Sequence, residues 1–147
     1  MGNEEKVYKG AITLFYKRVG NETRYLVVEN AKTGNVTFVS GAEEDRDVSL
    51  IATATREIKE ELGIEAREYA LTPTTVWHNF IFDEKKKERA GHKGSYQVFV
   101  ADLTNFAGNI AHTAELKQIK WMPAQEVLEA LAFPDLKQIF VTASSKL

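Results

Sequence analysis

The chain contains no cysteine, which excludes a disulfide framework, thiolate metal ligands and a cysteine nucleophile. Long apolar runs are missing as well. The opening MGNEEKVYKG is polar and mixed in charge, unlike a signal segment or a membrane span. Gly2 follows Met1, but the next residues lack the Ser or Thr of a myristoylation signal. These absences point to a cytoplasmic protein without a membrane partner. Nor does charge of one sign dominate. A formal net charge of −2 provides no global basic field for duplex nucleic acid, although a small group of lysines could hold a short polyphosphate. No repeat, low-complexity tract or Pro/Gly/Ser linker divides the sequence. With 44% hydrophobic and 27% charged content, its 147 residues read as one soluble globular domain, 1–147.

What is present begins with β-branched and aromatic runs. AITLFYKR and RYLVVEN flank VGNET and read as a hairpin, and NVTFVS reads as a third strand ending where a Ser40-Gly41 loop begins. From Ser49 the period changes. Leu50, Ile51, Ala54, Ile58 and Leu62 fall at helical spacing, with Ser49 as N-cap and Gly63 as C-cap. Strand patterns return in TTVWHNFIF, SYQVFVADL and IKWMP, with the polar loop DEKKKERAGHKG between the first two. Pro123 opens a helix over AQEVLEALAF, and Pro134-Asp135 opens another through LKQIFVTAS. Strands around one internal helix, with more helix at the end, indicate an α+β protein or a mixed-sheet α/β/α sandwich.

The internal helix carries the chemistry. At about 100° per residue, Glu57, Glu60 and Glu61 span an arc of roughly 100°, with Glu57 and Glu61 one turn apart. That arc borders the apolar stripe, where three carboxylates are poorly solvated and repel one another. A divalent cation resolves the conflict, and magnesium prefers oxygen ligands. A solvated Glu-rich face, with Lys59 and Arg56 as partners, accounts for the same spacing.

The run Arg56-Glu57-Ile58-Lys59-Glu60-Glu61-Leu62-Gly63-Ile64 resembles the second half of the Nudix box, R-E-U-x-E-E-x-G-U, at every specified position. A strand ending at Gly41, a loop and then this helix is similar to the strand-loop-helix of Nudix hydrolases. SYQVFVADL and LKQIKWMPAQEVLEAL resemble later family segments, so the likeness runs from about Gly10 to Phe140. The WHNF strand, the loop before IKWMP and the closing helix resemble the subgroup of diadenosine tetraphosphate hydrolases and dATP and dihydroneopterin triphosphate pyrophosphohydrolases.

The likeness implies a Nudix-like α/β/α sandwich and a magnesium-dependent hydrolase, with manganese an alternative, cleaving a pyrophosphate bond in a nucleotide derivative. Glu57, Glu60 and Glu61, with the Gly41 carbonyl, are then the metal ligands. Glu60 is a further ligand or the base, and Arg56 orients Glu57. Glu115 is the candidate late-loop base, or else an ordinary surface residue, and His112 shares its loop. Trp77 and His78 are candidates for stacking on a base, and Lys93 and Tyr96 for contacting phosphate. Lys85, Lys86 and Lys87 read as a solvated hairpin tip. Family precedent also allows a homodimer.

The first half of the box departs from G-x5-E-x7-R. Counting back from Arg56 puts Ala42 at its Gly and Val48 at its Glu. Ala42 requires a backbone without positive φ. Val48 removes a carboxylate, for which Asp47 and Asp45 are the neighbouring substitutes. These departures motivate a second reading, a weakened domain that binds or senses a nucleotide.

Overall fold

The computed structural model describes residues 6–82, 89–111 and 116–147. His112, Glu115, Lys85, Lys86 and Lys87 lie outside the described residues. Strand β1 (Val7–Val19) turns at Gly20-Asn21 into β2 (Glu22–Asn30), as the hairpin pattern predicts. β3 (Val36–Thr37) and β4 (Val39–Ala42) precede helix α1 (Leu50–Leu62). β5 (Thr72–Ile81), β6 (Lys93–Asp102) and β7 (Leu116–Pro123) follow, then α2 (Ala124–Ala130) and α3 (Pro134–Ser144).

The sheet is mixed. β1 runs parallel to β6 and antiparallel to β2 and β4, and β5 pairs antiparallel with β6 at one edge. β7 and β3 pair with β2. Alternation along the strands fills both faces. Ile12, Leu14, Val27, Val98 and Val100 join Val127 of α2 and Phe140 of α3 in one core. Phe15, Leu26, Val28 and Ala101 join Ile58 and Leu62 of α1 in the other. Side chains of opposite parity in a strand point to opposite faces, so burial on both faces makes an α/β/α sandwich. No helix among the described residues is long and apolar enough to cross a membrane.

Three local expectations change. NVTFVS is two strands, not one, interrupted at Phe38, which is buried and stacks on Phe140 with ring centroids 5.9 Å apart. The strand continues past Ser40 and Gly41 to Ala42, because Gly10–Thr13 of β1 pair with it. Ile51 is 43% exposed in the first turn of α1, while Thr53 is buried. A buried hydroxyl needs partners, and Thr53 finds them in Asp47 and the Ser49 carbonyl. The caps hold as expected. The Ser49 hydroxyl accepts from the Ala52 N–H, and Gly63 adopts φ 71°.

Phe140 anchors α3, edge-on to Tyr25 at 4.8 Å and stacked on Phe38. Phe140→Ala is expected to lower stability by about 4 kcal/mol, read as a shift of the urea midpoint. An unchanged midpoint would mean that α3 is not docked on this core.

Candidate active site

Arg56 sits at the centre of the site, its side chain only 12% exposed. Its Nε and Nη2 donate to the two oxygens of Asp47 at 3.1 and 3.0 Å, and Nη2 also donates to the Ala42 carbonyl at 2.9 Å. Nη1 donates to Glu57 at 2.9 Å and to Glu60 at 3.2 Å, and it pairs with Glu44 at 3.0 Å. Arg46 bridges Glu44 and Glu60 from the solvent side. Asp47 accepts two further hydrogen bonds, from the Glu44 N–H and the Thr53 hydroxyl, both 2.9 Å. The Arg56 guanidinium and these donors hold the Asp47 carboxyl well below the usual carboxylate range.

This geometry explains the altered first half of the box. Val48 is 93% exposed and faces water. Asp47, one residue earlier, is the carboxylate that holds Arg56, while Asp45 is not among the acids paired with it. Ala42 lies in the extended backbone of β4, and its side chain joins the core. A glycine is unnecessary there.

At Gly41 a side chain would have to displace Glu57. A Cβ would collide with the Glu57 carboxylate, which lies directly against the strand. Gly10, on the neighbouring strand, has the matching constraint on the other face, where the Gly41 carbonyl and the Tyr96 ring occupy the space of a side chain. Through these two glycines the carboxylate helix on one face meets Tyr96 on the other.

Burial raises the Glu57 carboxyl pKa, an effect reduced by Arg56 and reinforced by the charges of Glu60 and Glu44. Four carboxylates (Glu44, Asp47, Glu57, Glu60) stand against two guanidiniums, Arg46 and Arg56. The local excess is two negative charges before Glu61 is counted. Glu60 turns toward Arg46 and Arg56. Among the described residues, no three acidic or histidine side chains are gathered closely enough to enclose a metal ion.

Beside Tyr96, on the α3 face of the sheet, lies a cavity of 360 Å³ bordered by Ser40, His78, Phe80, Tyr96, Phe133 and Asp135, among others. Burial pushes the Tyr96 hydroxyl up to about 12, so it is neutral. His78 and Phe80 are stacked, with centroids 4.7 Å apart. Trp77 has the opposite parity in β5 and is exposed, so it does not share the cavity with His78. Lys93, at the start of β6, lies near Asn79 and Ile81. Glu44, Arg46 and Thr53 were not anticipated, and their signal was the Glu-rich loop facing a helix with a polar residue at a buried position. Asp135 was read only as a helix start.

The NUDIX domain model matches residues 10–142, so the chain belongs to the NUDIX domain family. No curated protein matches in sequence. Among solved structures, a Caenorhabditis elegans Ap4A hydrolase in a binary complex is similar, with TM-score 0.77 and 18% identity over 95% of this chain and 96% of that one. The Escherichia coli dihydroneopterin triphosphate pyrophosphohydrolase has TM-score 0.79 and 19% identity over 97% of this chain and 100% of that one. The NUDIX domain of Shewanella oneidensis NrtR, complexed with ADP ribose, has TM-score 0.75 and 16% identity over 97% and 90%. At these identities the structures establish a common fold.

Two predictions follow from the Arg56 network. The Asp47 side chain is 5% exposed, but Glu44 and Glu60 are half open to water, which screens the network. Asp47→Asn is therefore expected to destabilise by about 2 kcal/mol, below the value for a fully buried pair. Because the folded carboxyl is held low, this contribution is complete above about pH 5 and fades as pH falls below the unfolded value of about 3.9. Melting temperatures of wild type and Asp47→Asn should thus converge on acidification, and a constant gap down to pH 2 contradicts the assignment. Val48→Glu, placed in solvent, should change stability by less than about 0.5 kcal/mol and leave activity within about twofold of wild type. A large gain would show that the Arg56 network lacks a carboxylate that Val48 can supply.

Proposed function

We propose that this chain is a divalent-metal-dependent hydrolase cleaving a pyrophosphate bond in a nucleoside diphosphate linked to another moiety, such as a dinucleoside polyphosphate or a (d)NTP. The observation that carries this reading is the Glu57 carboxylate. It is pressed against Gly41 within a cluster of excess negative charge, one strand away from an aromatic cavity. The activities for which the C. elegans and E. coli neighbours are named support the substrate class.

The donor set fits a hard cation. Carboxylate and carbonyl oxygens are the ligands of magnesium and manganese, and magnesium keeps several waters instead of demanding an all-protein cage. Glu57 and Glu61 would be its principal protein ligands, with the Gly41 carbonyl a third. When bound, the cation supplies charge neutralisation at the phosphates and an acidified water. The chain's own residues do the positioning. Asp47 holds Arg56, Arg56 holds the Glu57 carboxylate by its Nη1, and Glu60 stands beside them as further ligand or base. Glu115 is proposed as the late-loop acid. His78 and Tyr96 are assigned to substrate, with Lys93 and Trp77 as outlying candidates.

The sensing alternative drew on Val48 and Ala42. Neither residue opens the Arg56 network, because Asp47 and the Ala42 carbonyl already complete it. Hydrolysis is the preferred reading for that reason.

The test is a panel of diadenosine polyphosphates, (d)NTPs, ADP-ribose and nucleotide sugars with magnesium, scored for cleavage of phosphate bonds. Turnover of at least one member is expected, falling at least about 100-fold in Glu61→Gln. Tight binding without turnover anywhere would favour the sensing role, and an unchanged rate in Glu61→Gln removes that residue from the ligand set.

A further inference from the structure

The cavity on the α3 face has features that pyrophosphate chemistry does not use. Its volume of 360 Å³ lies within the range of small-molecule sites, roughly 300–1,000 Å³. One wall is aromatic, with Phe80 stacked on His78 and edge-on to Tyr96 at 4.9 Å. Such a wall accepts a planar ring. The polar groups are fewer and more telling. His78 borders the cavity, and its Nε2 is buried without a hydrogen-bond partner among the described residues. Burial lowers the imidazole's pKa although the Asp135 charge opposes the shift, so the ring is neutral and Nε2 is available as a donor or an acceptor. Asp135, in the first turn of α3, lines the same cavity, and its charge acts on His78.

An ionised carboxylate accepts and does not donate. It repels phosphate, so the ring end of a substrate, not its phosphate end, belongs beside Asp135. Two oxygens side by side also match a pair of adjacent N–H donors better than a donor next to an acceptor. Adenine and cytosine offer an amine beside an acceptor nitrogen. The 2-amino-4-oxopyrimidine edge offers a ring N–H and an amine together, followed by a carbonyl oxygen that a neutral imidazole N–H can reach.

We infer that this cavity selects a fused heterocycle with a 2-amino-4-oxopyrimidine edge, as in guanine or pterin, read by Asp135 and His78 against the Phe80–Tyr96 wall. Ser40 borders the same cavity and adjoins Gly41, the residue against which Glu57 lies. The inference deepens the proposed hydrolysis by naming the leaving nucleotide's ring. It is tested by binding, not by turnover.

Guanosine, neopterin, adenosine and cytidine monophosphates are titrated calorimetrically without a metal into the wild type and into Asp135→Asn and Asp135→Glu. Asp135 is exposed, so both variants are expected to fold, and circular dichroism checks it. Guanosine or neopterin monophosphate should bind at least about tenfold tighter than the adenosine and cytidine compounds. A preference for only one of the first two identifies the source of the edge. Asp135→Asn should reduce that preference to about threefold or less, because its amide places a donor beside an acceptor, and Asp135→Glu should retain most of it. Equal binding of all four, or a preference that survives in Asp135→Asn, overturns the inference. Either result leaves the hydrolase reading to the substrate panel, and a failure of turnover leaves the binding preference intact.

Discussion

The site depends on one buried guanidinium. Arg56 reaches the β4 carbonyl of Ala42, both oxygens of Asp47 and the carboxylates of Glu44, Glu57 and Glu60. It therefore ties a strand, a loop and two turns of helix to one planar group whose charge does not titrate near neutrality. Leaving any of these acids unpaired while half-buried is unfavourable, so the network specifies the conformation of the 43–48 loop as well as the aim of Glu57. Thr53 shows how far this reaches. A hydroxyl at a position with no exposure is tolerated because Asp47 and the Ser49 carbonyl accept from it, and that bond fixes the loop over the first turns of α1.

The second constraint is steric. A sheet buried on both faces separates the α1 carboxylates from the α3 cavity, and ordinary side chains at the strand ends would wall one from the other. Gly41 admits the Glu57 carboxylate from one side, and Gly10 admits the Gly41 carbonyl and the Tyr96 ring from the other. Two missing Cβ atoms on adjacent strands thus bring an anionic edge and an aromatic pocket together. Burial raises the Tyr96 hydroxyl pKa, against the Arg89 charge and with a smaller contribution from the Glu57 charge, so the ring stays uncharged.

Much of this was legible in the chain. Helical spacing from Leu50 to Leu62, the Ser49 cap and the Gly63 stop are local signals, and the helix they predict is the one observed. The strands of the hairpin and of SYQVFVADL are legible as β-branched and aromatic runs, and such near-continuous apolar runs fit strands buried on both faces. What escaped was non-local. The strand break falls at Phe38, which packs on Phe140 about a hundred residues away, and the extension of β4 to Ala42 follows its pairing with β1. Trp77 and His78 look alike as neighbouring aromatic candidates, yet β5 sends them to opposite faces, and only the packing of α3 reveals which face holds the cavity. Asp135 carries no motif at all. Its position in the cavity follows from where Pro134 starts a helix and where that helix docks.

The altered box shows what the motif specifies physically. A carboxylate must reach Arg56 at the level of Ala42, and the residue number from which it comes is secondary. Glutamate at Val48 would start from a backbone position that here faces water. Aspartate one residue earlier starts nearer and is shorter by one methylene, and the loop orients it through the Glu44 N–H and the Thr53 hydroxyl. A shorter side chain has fewer rotamers to restrict, which lowers the entropic cost of holding it. A pattern counted in fixed steps registers a loss at Val48. The hydrogen bonds at Arg56 register none, and they are what positions Glu57.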